Sequence, residues 1–353
     1  MAARREGGTG LRYGLMALPR DPEETREMAR RAEAAGFEWL GVADSPVVYQ
    51  ESYLHQREAL AVTERLRVGP LVSHVVARHP VIVANLLATL SELSGGRAVG
   101  TLATGNSAAR GLGLRPAGLA ALGEAVDAIR GVFDGVGGAV GDGRIPASGI
   151  RRRGCPLLIA ADGPRAAALA GSHGDGILYG GTMEPSVMAA RVAAARTRAG
   201  QQLWMGPAMS LGERVEDVLE DMGAMVVAQA NRAFRGDLDA HGVPRELHGD
   251  VAELWRRYDY AFHADNARPR NMDLVSPELA RYLVERFVVW GDAARWRSQL
   301  RLIRAHGFDG VMFILGQGEQ LAVVDRLAGR LAELGELRTA SAAPTIDNER
   351  STL

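Results

Sequence analysis

The feature that most constrains the fold is the regular alternation of short apolar runs with segments of helical periodicity. Eight runs have the length of a buried strand, and helical patterns of apolar residues lie between them. The eight runs are Arg12–Leu18, Glu38–Ala43, Arg67–Ser73, Ala98–Ala103, Pro156–Ala161, Gly176–Tyr179, Leu203–Leu211 and Gly310–Leu315. Because alternating strands and helices form parallel sheets, eight such units predict an α/β fold, a (β/α)8 TIM barrel, rather than an open doubly wound sheet.

Two connections are too long for a loop, a helix and a second loop. The first, 134–153, is rich in glycine and predicts a surface excursion. The second, about 213–290, lies between strands 7 and 8, and we interpret it as the largest insertion, a helical segment over the barrel mouth. Residues 1–334 are then predicted to be a single barrel domain, and the polar tail 335–353 is predicted to be disordered.

Composition excludes several classes of function. The chain has 41 basic and 42 acidic residues, so no net field favours nucleic acid or an anionic membrane. All 41 basic residues are arginine, which excludes Schiff-base chemistry and a Walker lysine because both need a primary amine. The single cysteine excludes an internal disulfide and a cysteine metal cluster, and we predict no metal site.

The chain also lacks several sequence signatures. The patterns GxGxxG, GxSxG and HExxH do not occur, which weakens dinucleotide-binding, α/β-hydrolase and zinc-protease interpretations. The N-terminal residues lack the apolar core of a signal peptide, and no apolar run is long enough to span a bilayer. We therefore expect a cytoplasmic protein with no membrane partner.

Polar and small residues follow the predicted strands at their carboxyl ends, where barrels of this kind place their active sites. Asp44 and Ser45 follow the second strand, Ser73 and His74 end the third, and Thr104, Gly105 and Asn106 follow the fourth. Small side chains and accessible backbone N–H groups suit a phosphate or a ring edge, although helix capping explains the same residues. His74 is a minority candidate because a lone histidine is more often a structural hydrogen-bonding group.

Two further strand ends and one segment of the insertion complete the candidate site. Ala161, Asp162 and Gly163 end the fifth strand, and Gly180, Gly181 and Thr182 follow the sixth, where glycine N–H groups suit a phosphate or serve a tight turn. In the insertion, Tyr258 fits helix packing better than ligand contact. His263 would face a substrate if the insertion forms a lid.

With these residues in place, the chain resembles the bacterial-luciferase-like superfamily of flavin- or F420-dependent oxidoreductases, near the methylenetetrahydromethanopterin reductase branch. The resemblance covers roughly Tyr13 to Ala332. It rests on five segments in the same order, which are VADSP, VGPLVSHVVARHP, LSGGRAVGTLATGNSAARGLGLRP, LLIAADGPRAAALAGSHGDGILYGG and FVVWGDAARWRSQLRLIRAHGFDGVMFI.

The resemblance implies a barrel that holds an isoalloxazine-type ring at its mouth and a homodimer formed through the early helices. It implies that the ring or the ribityl chain is contacted by Asp44, Ser73, Thr104, Gly105 and Asn106. It implies that the ring edge and phosphate are held by Ala161, Asp162, Gly163, Gly180, Gly181 and Thr182. A non-proline cis peptide is implied at Leu71–Val72, in a bulge behind the ring.

One departure concerns the proton donor. Several deazaflavin enzymes of the superfamily have an Asp-His pair at the end of the second strand, and here Ser45 takes the histidine position. The catalytic candidates are therefore Asp44, Ser45 and His74, or a residue of the insertion.

We predict an oxidoreductase that transfers a hydride between coenzyme F420 and a small organic substrate, with Asp44 beside the reacting ring. The first alternative is an FMN-dependent monooxygenase that uses reduced flavin and oxygen. The second is a non-catalytic flavin-binding relative, against which the several small-residue strand ends argue.

Overall fold

The barrel strands are short and parallel. The computed structural model describes residues 10–263, 269–316 and 318–337. Its strands are β1 (Arg12–Ala17), β2 (Trp39–Val42), β3 (Arg67–Pro70), β4 (Ser73–His74), β5 (Gly100–Ala103), β6 (Gly138–Val140), β7 (Gly143–Ile145), β8 (Leu157–Ala160), β9 (Gly176–Tyr179), β10 (Gln202–Met205), β11 (Ala208–Met209), β12 (Val288–Val289) and β13 (Gly310–Phe313).

The main sheet curves until its two ends meet. Over the described ranges its strands follow the order β3-β2-β1-β13-β10-β9-β8-β5-β4, and every pair is parallel. A parallel bridge between Val68 and Ala98 joins β3 to the residues that precede β5. Because β3 and β4 are the two halves of the third strand, the sheet has eight strand positions, and the predicted (β/α)8 barrel is confirmed.

Two predicted strands are interrupted in the structure. The run Arg67–Ser73 divides into β3 and β4 at a non-proline cis peptide between Leu71 and Val72, which confirms the predicted bond. The run Leu203–Leu211 divides into β10 and β11 at Pro207. Proline lacks the N–H that would continue the ladder, and β11 pairs with β12 while Ala208 keeps one parallel bridge to Ile314, next to β13.

Helices follow the strands. Their bounds are α1 (Pro22–Ala35), α2 (Ser52–Ala61), α3 (Pro80–Leu93), α4 (Asn106–Gly111), α5 (Leu119–Asp134), α6 (Pro164–His173), α7 (Pro185–Ala195), α8 (Val215–Ala233), α9 (His248–Arg257), α10 (Pro277–Phe287), α11 (Ala293–Ala305) and α12 (Gln320–Glu333). Local sequence explains the ends of α1. The Asp21 side chain accepts a hydrogen bond from the Glu24 N–H at 2.9 Å, and Gly36 ends the helix with φ 94°.

Large side chains fill the lower barrel. Trp39 and Trp204 meet edge to face with ring centroids 5.0 Å apart, and both are buried. A Cβ on Gly310 would lie 2.6 Å from the Trp204 ring, so the indole occupies the space that this glycine leaves. The barrel interior is therefore filled by side chains below the carboxyl ends of the strands.

The insertion packs around an apolar core of its own. It lies between β11 and β12 and contains α8, α9, α10 and short 3-10 turns. Its buried side chains include Met222, Phe234, Leu254 and Phe287. The largest insertion is thus between strands 7 and 8, as predicted.

The glycine-rich segment 134–153 contains a hairpin of β6 and β7 that the sequence analysis did not identify. Both strands have three residues and lack an alternating apolar pattern, which leaves no signal for a strand. In the predicted tail, residues 338–353 lie outside the described part of the chain. No helix within the described ranges is long and apolar enough to cross a membrane.

Candidate active site

A cavity of about 500 Å³ opens at the carboxyl ends of the barrel strands. Twelve of the residues predicted from sequence line it. They are Asp44, Ser45, Leu71, Val72, Thr104, Gly105, Asn106, Ala161, Asp162, Gly163, Gly180 and His263. A cavity of this size accommodates an organic cofactor ring, so the strand ends converge on a ligand-sized site.

The other predicted residues lie behind the cavity wall. Ser73 and His74 are buried on β4, and Thr182 is buried after β9. Gly181 packs on the Tyr179 ring, where a Cβ would lie 2.4 Å from the phenol. The Tyr179 hydroxyl donates to the Thr182 carbonyl at 2.9 Å, so Gly181 and Thr182 shape this loop from behind the wall. Tyr258 does not line the cavity, and its hydroxyl lies 2.6 Å from Nδ1 of His263, which does.

Asp44 is the most fully bonded polar group of the cavity. Arg78 donates to its two carboxylate oxygens at 3.0 and 2.8 Å, and the Ser73 hydroxyl donates at 2.8 Å. The Tyr53 hydroxyl donates to Ser73 at 3.1 Å, and Arg78 also pairs with Glu51. These three donated hydrogen bonds hold the buried Asp44 carboxylate in place as a hydrogen-bond acceptor.

His74 is held in a neutral form beside this network. Burial lowers its pKa, and Arg78 acts in the same direction while Asp44 opposes it. Its Nδ1 accepts from the Ala77 N–H at 3.4 Å. Gly105, with φ 83°, packs on this ring, and a Cβ there would lie 2.8 Å from the His74 Cβ. Glycine is required because the position combines left-handed backbone with close approach.

The N-terminus of α6 opens into the cavity. Its N-cap is Gly163, no side chain of the described residues caps it, and Pro164 occupies the first position. Gly163 and Ala166 both line the cavity. Free N–H groups at the start of a ten-residue helix, together with the helix dipole, suit a phosphate.

An ion pair borders this helix end. The Arg232 Nε lies 3.0 Å from an Asp162 carboxylate oxygen, and a terminal nitrogen of Arg232 donates to the Gly180 carbonyl at 3.3 Å. A Cβ on Gly180 would meet both side chains, at 2.8 Å for Arg232 and 3.1 Å for Asp162. The loops after β8 and β9 are therefore connected to α8 of the insertion.

The sequence analysis missed the α8 side of the cavity and the cation beside Asp44. Met225, Gln229 and Arg232 line the cavity from one face of α8. The helical spacing of these residues is visible in the sequence. The pattern does not indicate which strand ends this face of α8 covers. Arg78 was not among the predicted site residues, because its pairing with Asp44 depends on how β4 turns into α3.

The fold and the position of the cavity define a TIM-barrel enzyme with its ligand site at the carboxyl ends of the strands. The family model described as luciferase-like monooxygenase matches residues 3–310, so the chain belongs to that family. The resemblance inferred from the five sequence segments is thus confirmed, and one curated relative is named as a putative F420-dependent oxidoreductase.

Curated relatives are named as methylenetetrahydromethanopterin reductases and as a putative F420-dependent oxidoreductase. A 5,10-methylenetetrahydromethanopterin reductase of Methanopyrus kandleri is 35% identical over 98 residues, which cover 27% of this chain and 28% of that protein. The same enzyme of Methanolobus tindarius is 27% identical, covering 54% of this chain and 61% of its own length. A putative coenzyme F420-dependent oxidoreductase of Mycobacterium tuberculosis is 25% identical, with 88% and 96% covered. The chain thus spans less than two thirds of the two reductases.

Solved structures share the fold over nearly the whole chain. The F420-dependent tetrahydromethanopterin reductase of Methanopyrus kandleri superposes with a TM-score of 0.70 at 19% identity, covering 92% of this chain and 99% of that one. An F420-dependent secondary alcohol dehydrogenase gives 0.68 at 18%, with the same coverage. The monooxygenase RslO1 of Streptomyces bottropensis gives 0.57 at 17%, again covering 92% and 99%. At these identities the likeness establishes the fold.

Proposed function

We propose that this protein is an oxidoreductase that transfers a hydride between coenzyme F420 and a small organic substrate. The observation that carries the proposal is the uncapped N-terminus of α6, which opens into the same cavity as the Leu71–Val72 bulge and the charged Asp44. A phosphate site and a ring-sized apolar wall within one cavity fit a phosphorylated cofactor with a fused ring. F420 supplies the hydride chemistry when it is bound.

The chain's own residues have separable roles in this proposal. The first N–H groups of α6 hold the phosphate, and Leu71 and Val72 support the ring. Asp44, held in place by Arg78 and Ser73, accepts a hydrogen bond from the ring or the substrate. Met225 and Ile314 add apolar surface to the wall of the same cavity.

Charge at the rim favours F420 over FMN. F420 carries an acidic tail beyond its phosphate, whereas FMN ends at the phosphate. Arg165, in the first turn of α6, and Arg235, which lines the cavity, are exposed, and neither pairs with a carboxylate of the described residues. Two such guanidinium groups near the phosphate site suit additional carboxylates.

The experiment is a comparative titration of the apoprotein with F420 and FMN, followed by single-turnover hydride transfer. We expect F420 to bind more tightly than FMN, and Asp44→Ala to lower the transfer rate more than the F420 affinity. Micromolar FMN binding without F420 binding would move the protein to the monooxygenase alternative. An unchanged hydride-transfer rate in Asp44→Ala would show that Asp44 has no role in the mechanism.

We also propose a homodimer that uses α3. This helix exposes Ile82 and Leu93, with 51% and 69% of their surface accessible. Exposed apolar side chains on a single helix are typical of an interface between subunits.

A further inference from the structure

His263 reaches the cavity from the insertion with one ring nitrogen already bonded. It lines the cavity, and its Nδ1 lies 2.6 Å from the Tyr258 hydroxyl. The other nitrogen, Nε2, has no hydrogen-bond partner among the described residues. The half-buried ring therefore has one polar atom free to meet a ligand.

The chemistry of the Tyr258 contact determines where the ring carries its proton. A phenol is a better donor than a neutral imidazole N–H, and an imidazole nitrogen is a better acceptor than a phenol oxygen. Tyr258 therefore donates to Nδ1, and the proton of the neutral ring is on Nε2. Burial, with the Arg232 charge, lowers the pKa of His263 to about 4, so the ring is neutral near pH 7.

The turn that carries His263 is fixed by several contacts. The Asn271 amide donates to the Asp259 carbonyl at 3.0 Å and to the Phe262 carbonyl at 3.1 Å, and it accepts from the Asp259 N–H at 3.0 Å. The Tyr260 ring stacks on His263 with centroids 5.9 Å apart. The guanidinium group of Arg110, in α4, lies over the Tyr260 ring at 5.2 Å from its centre. The imidazole is therefore preorganised against the barrel mouth.

Apart from Arg235, which the proposed function assigns to the acidic tail of F420, the charged side chains of the described cavity wall are paired, which favours an uncharged ligand. The two carboxylates that line the cavity, Asp44 and Asp162, are each paired with an arginine. Val48, Met225 and Ile314 supply apolar surface in the same cavity. A neutral N–H donor beside apolar walls recognises a single oxygen acceptor on an otherwise apolar molecule.

We infer that the Nε2–H of His263 binds the oxygen of a carbonyl or alcohol, so that the substrate of the F420 reaction is a small ketone or aldehyde and its alcohol. This inference rests on the proposed function. In the reductive direction, a hydride moves from the reduced deazaflavin to the carbonyl carbon as the C=O π bond opens. The oxygen becomes an alkoxide, is stabilised by the His263 N–H and takes its proton from water. The deazaflavin is oxidised by two electrons, and His263 keeps its own proton.

The first test examines His263 without turnover. Histidine labelled with 15N reports which ring nitrogen carries the proton, with His263→Gln used to assign the signal. We expect the Nε2–H form in the wild-type apoprotein and a mixture of both forms in Tyr258→Phe, which loses the hydroxyl. A wild-type ring protonated on Nδ1 would overturn the inference.

The second test uses the F420-loaded enzyme with a panel of small ketones and aldehydes and a matched set of cyclic imines. His263→Leu removes the donor, whereas His263→Gln keeps a neutral N–H donor. For a carbonyl substrate we expect kcat to fall about a hundredfold in His263→Leu and to recover in part in His263→Gln. His248→Gln is the matched control because His248 lies in the same insertion and bonds to the Val243 carbonyl away from the cavity, and it should leave kcat unchanged.

The outcomes separate this inference from the cofactor proposal. Failure of the wild type to bind F420 would contradict the proposed function. F420 binding with turnover of imines alone, or with no turnover of any carbonyl, would overturn the substrate class and leave the cofactor in place. Carbonyl turnover that survives His263→Leu would overturn the role of His263.

Discussion

Arg78 donates to both carboxylate oxygens of Asp44, and the pair lies at the wall of the cavity with only 14% and 2% of the two side chains exposed. Glu51 shares the same guanidinium from the exposed side. Burial opposes the charged form of Arg78, but Asp44 and Glu51 outweigh it and raise its pKa. An ion pair thus lies at the end of the second strand, where Ser45 follows Asp44.

Loss of Asp44 is expected to destabilise the protein because it leaves Arg78 buried with one exposed partner. Asp44→Ala should lower the free energy of unfolding by about 3 kcal/mol. Glu51→Gln is the control, and it should cost less than about 1 kcal/mol because Glu51 is 43% exposed. Urea unfolding of both variants measures the difference. Equal losses of unfolding free energy would show that burial of the Asp44–Arg78 pair contributes nothing to stability.

Gly105→Ala should be more costly than the same change at another left-handed glycine. Gly113 has φ 71° and open space around its Cα, so Gly113→Ala should cost roughly 1–2 kcal/mol of backbone strain alone. At Gly105 the new methyl group also meets His74, which adds about 1 kcal/mol or more. Chemical denaturation compares the two variants. Similar values would mean that His74 moves without cost.

A carboxylate at the start of α6 should compete with the phosphate. Gly163 has φ −90° and ψ 163°, which suit an N-cap residue, and a Cβ there meets nothing within 4 Å. Gly163→Asp should therefore keep or raise stability by capping the helix, while the F420 dissociation constant rises at least about tenfold by repulsion.

Gly163→Ala serves as the control for added volume at this position, and its F420 affinity should stay near that of the wild type. Fluorescence titration measures both variants. If Gly163→Asp binds F420 as tightly as Gly163→Ala, the phosphate does not lie at this helix end.

Stability should fall between pH 6.5 and about 4 through buried histidines. Burial lowers the pKa of His263 to about 4, so the unfolded chain binds a proton on this residue at a higher pH than the folded protein does. Its contribution is complete above pH 6.5 and is lost as the pH falls towards 4. Urea midpoints at pH 7 and pH 5 should therefore differ less in His263→Gln than in the wild type, and equal differences would refute the titration of His263.

The proposed homodimer predicts a mass near twice that of the chain in light scattering at micromolar concentration. Ile82→Glu places a charge on the exposed face of α3 and should shift the protein towards the monomer. Leu114→Glu is the control because Leu114 is also exposed and apolar but lies outside this helix, after α4. A monomeric wild type, or equal dissociation in both variants, would exclude α3 as the interface.

The sequence by itself determined the barrel and the loops of its mouth. Strand length, helical period and glycine stops are local properties of the sequence. The alternation of strands and helices from Arg12 to Leu315 could therefore be predicted without knowledge of tertiary contacts. Carboxyl ends of parallel strands must share one edge, and for that reason Asp44, Thr104, Asp162 and Gly180 could be assigned to one site.

Only the tertiary structure decided how those residues act. Asp44 became a fixed charge because the turn after β4 brings Arg78 onto it across 34 residues. His74 points behind the wall, while His263 reaches the cavity because Asn271 and Tyr258 fix its turn. The hairpin of β6 and β7 lacks the alternating apolar pattern that would predict a strand. These features depend on the direction of side chains and on contacts distant in the chain, which periodicity does not encode.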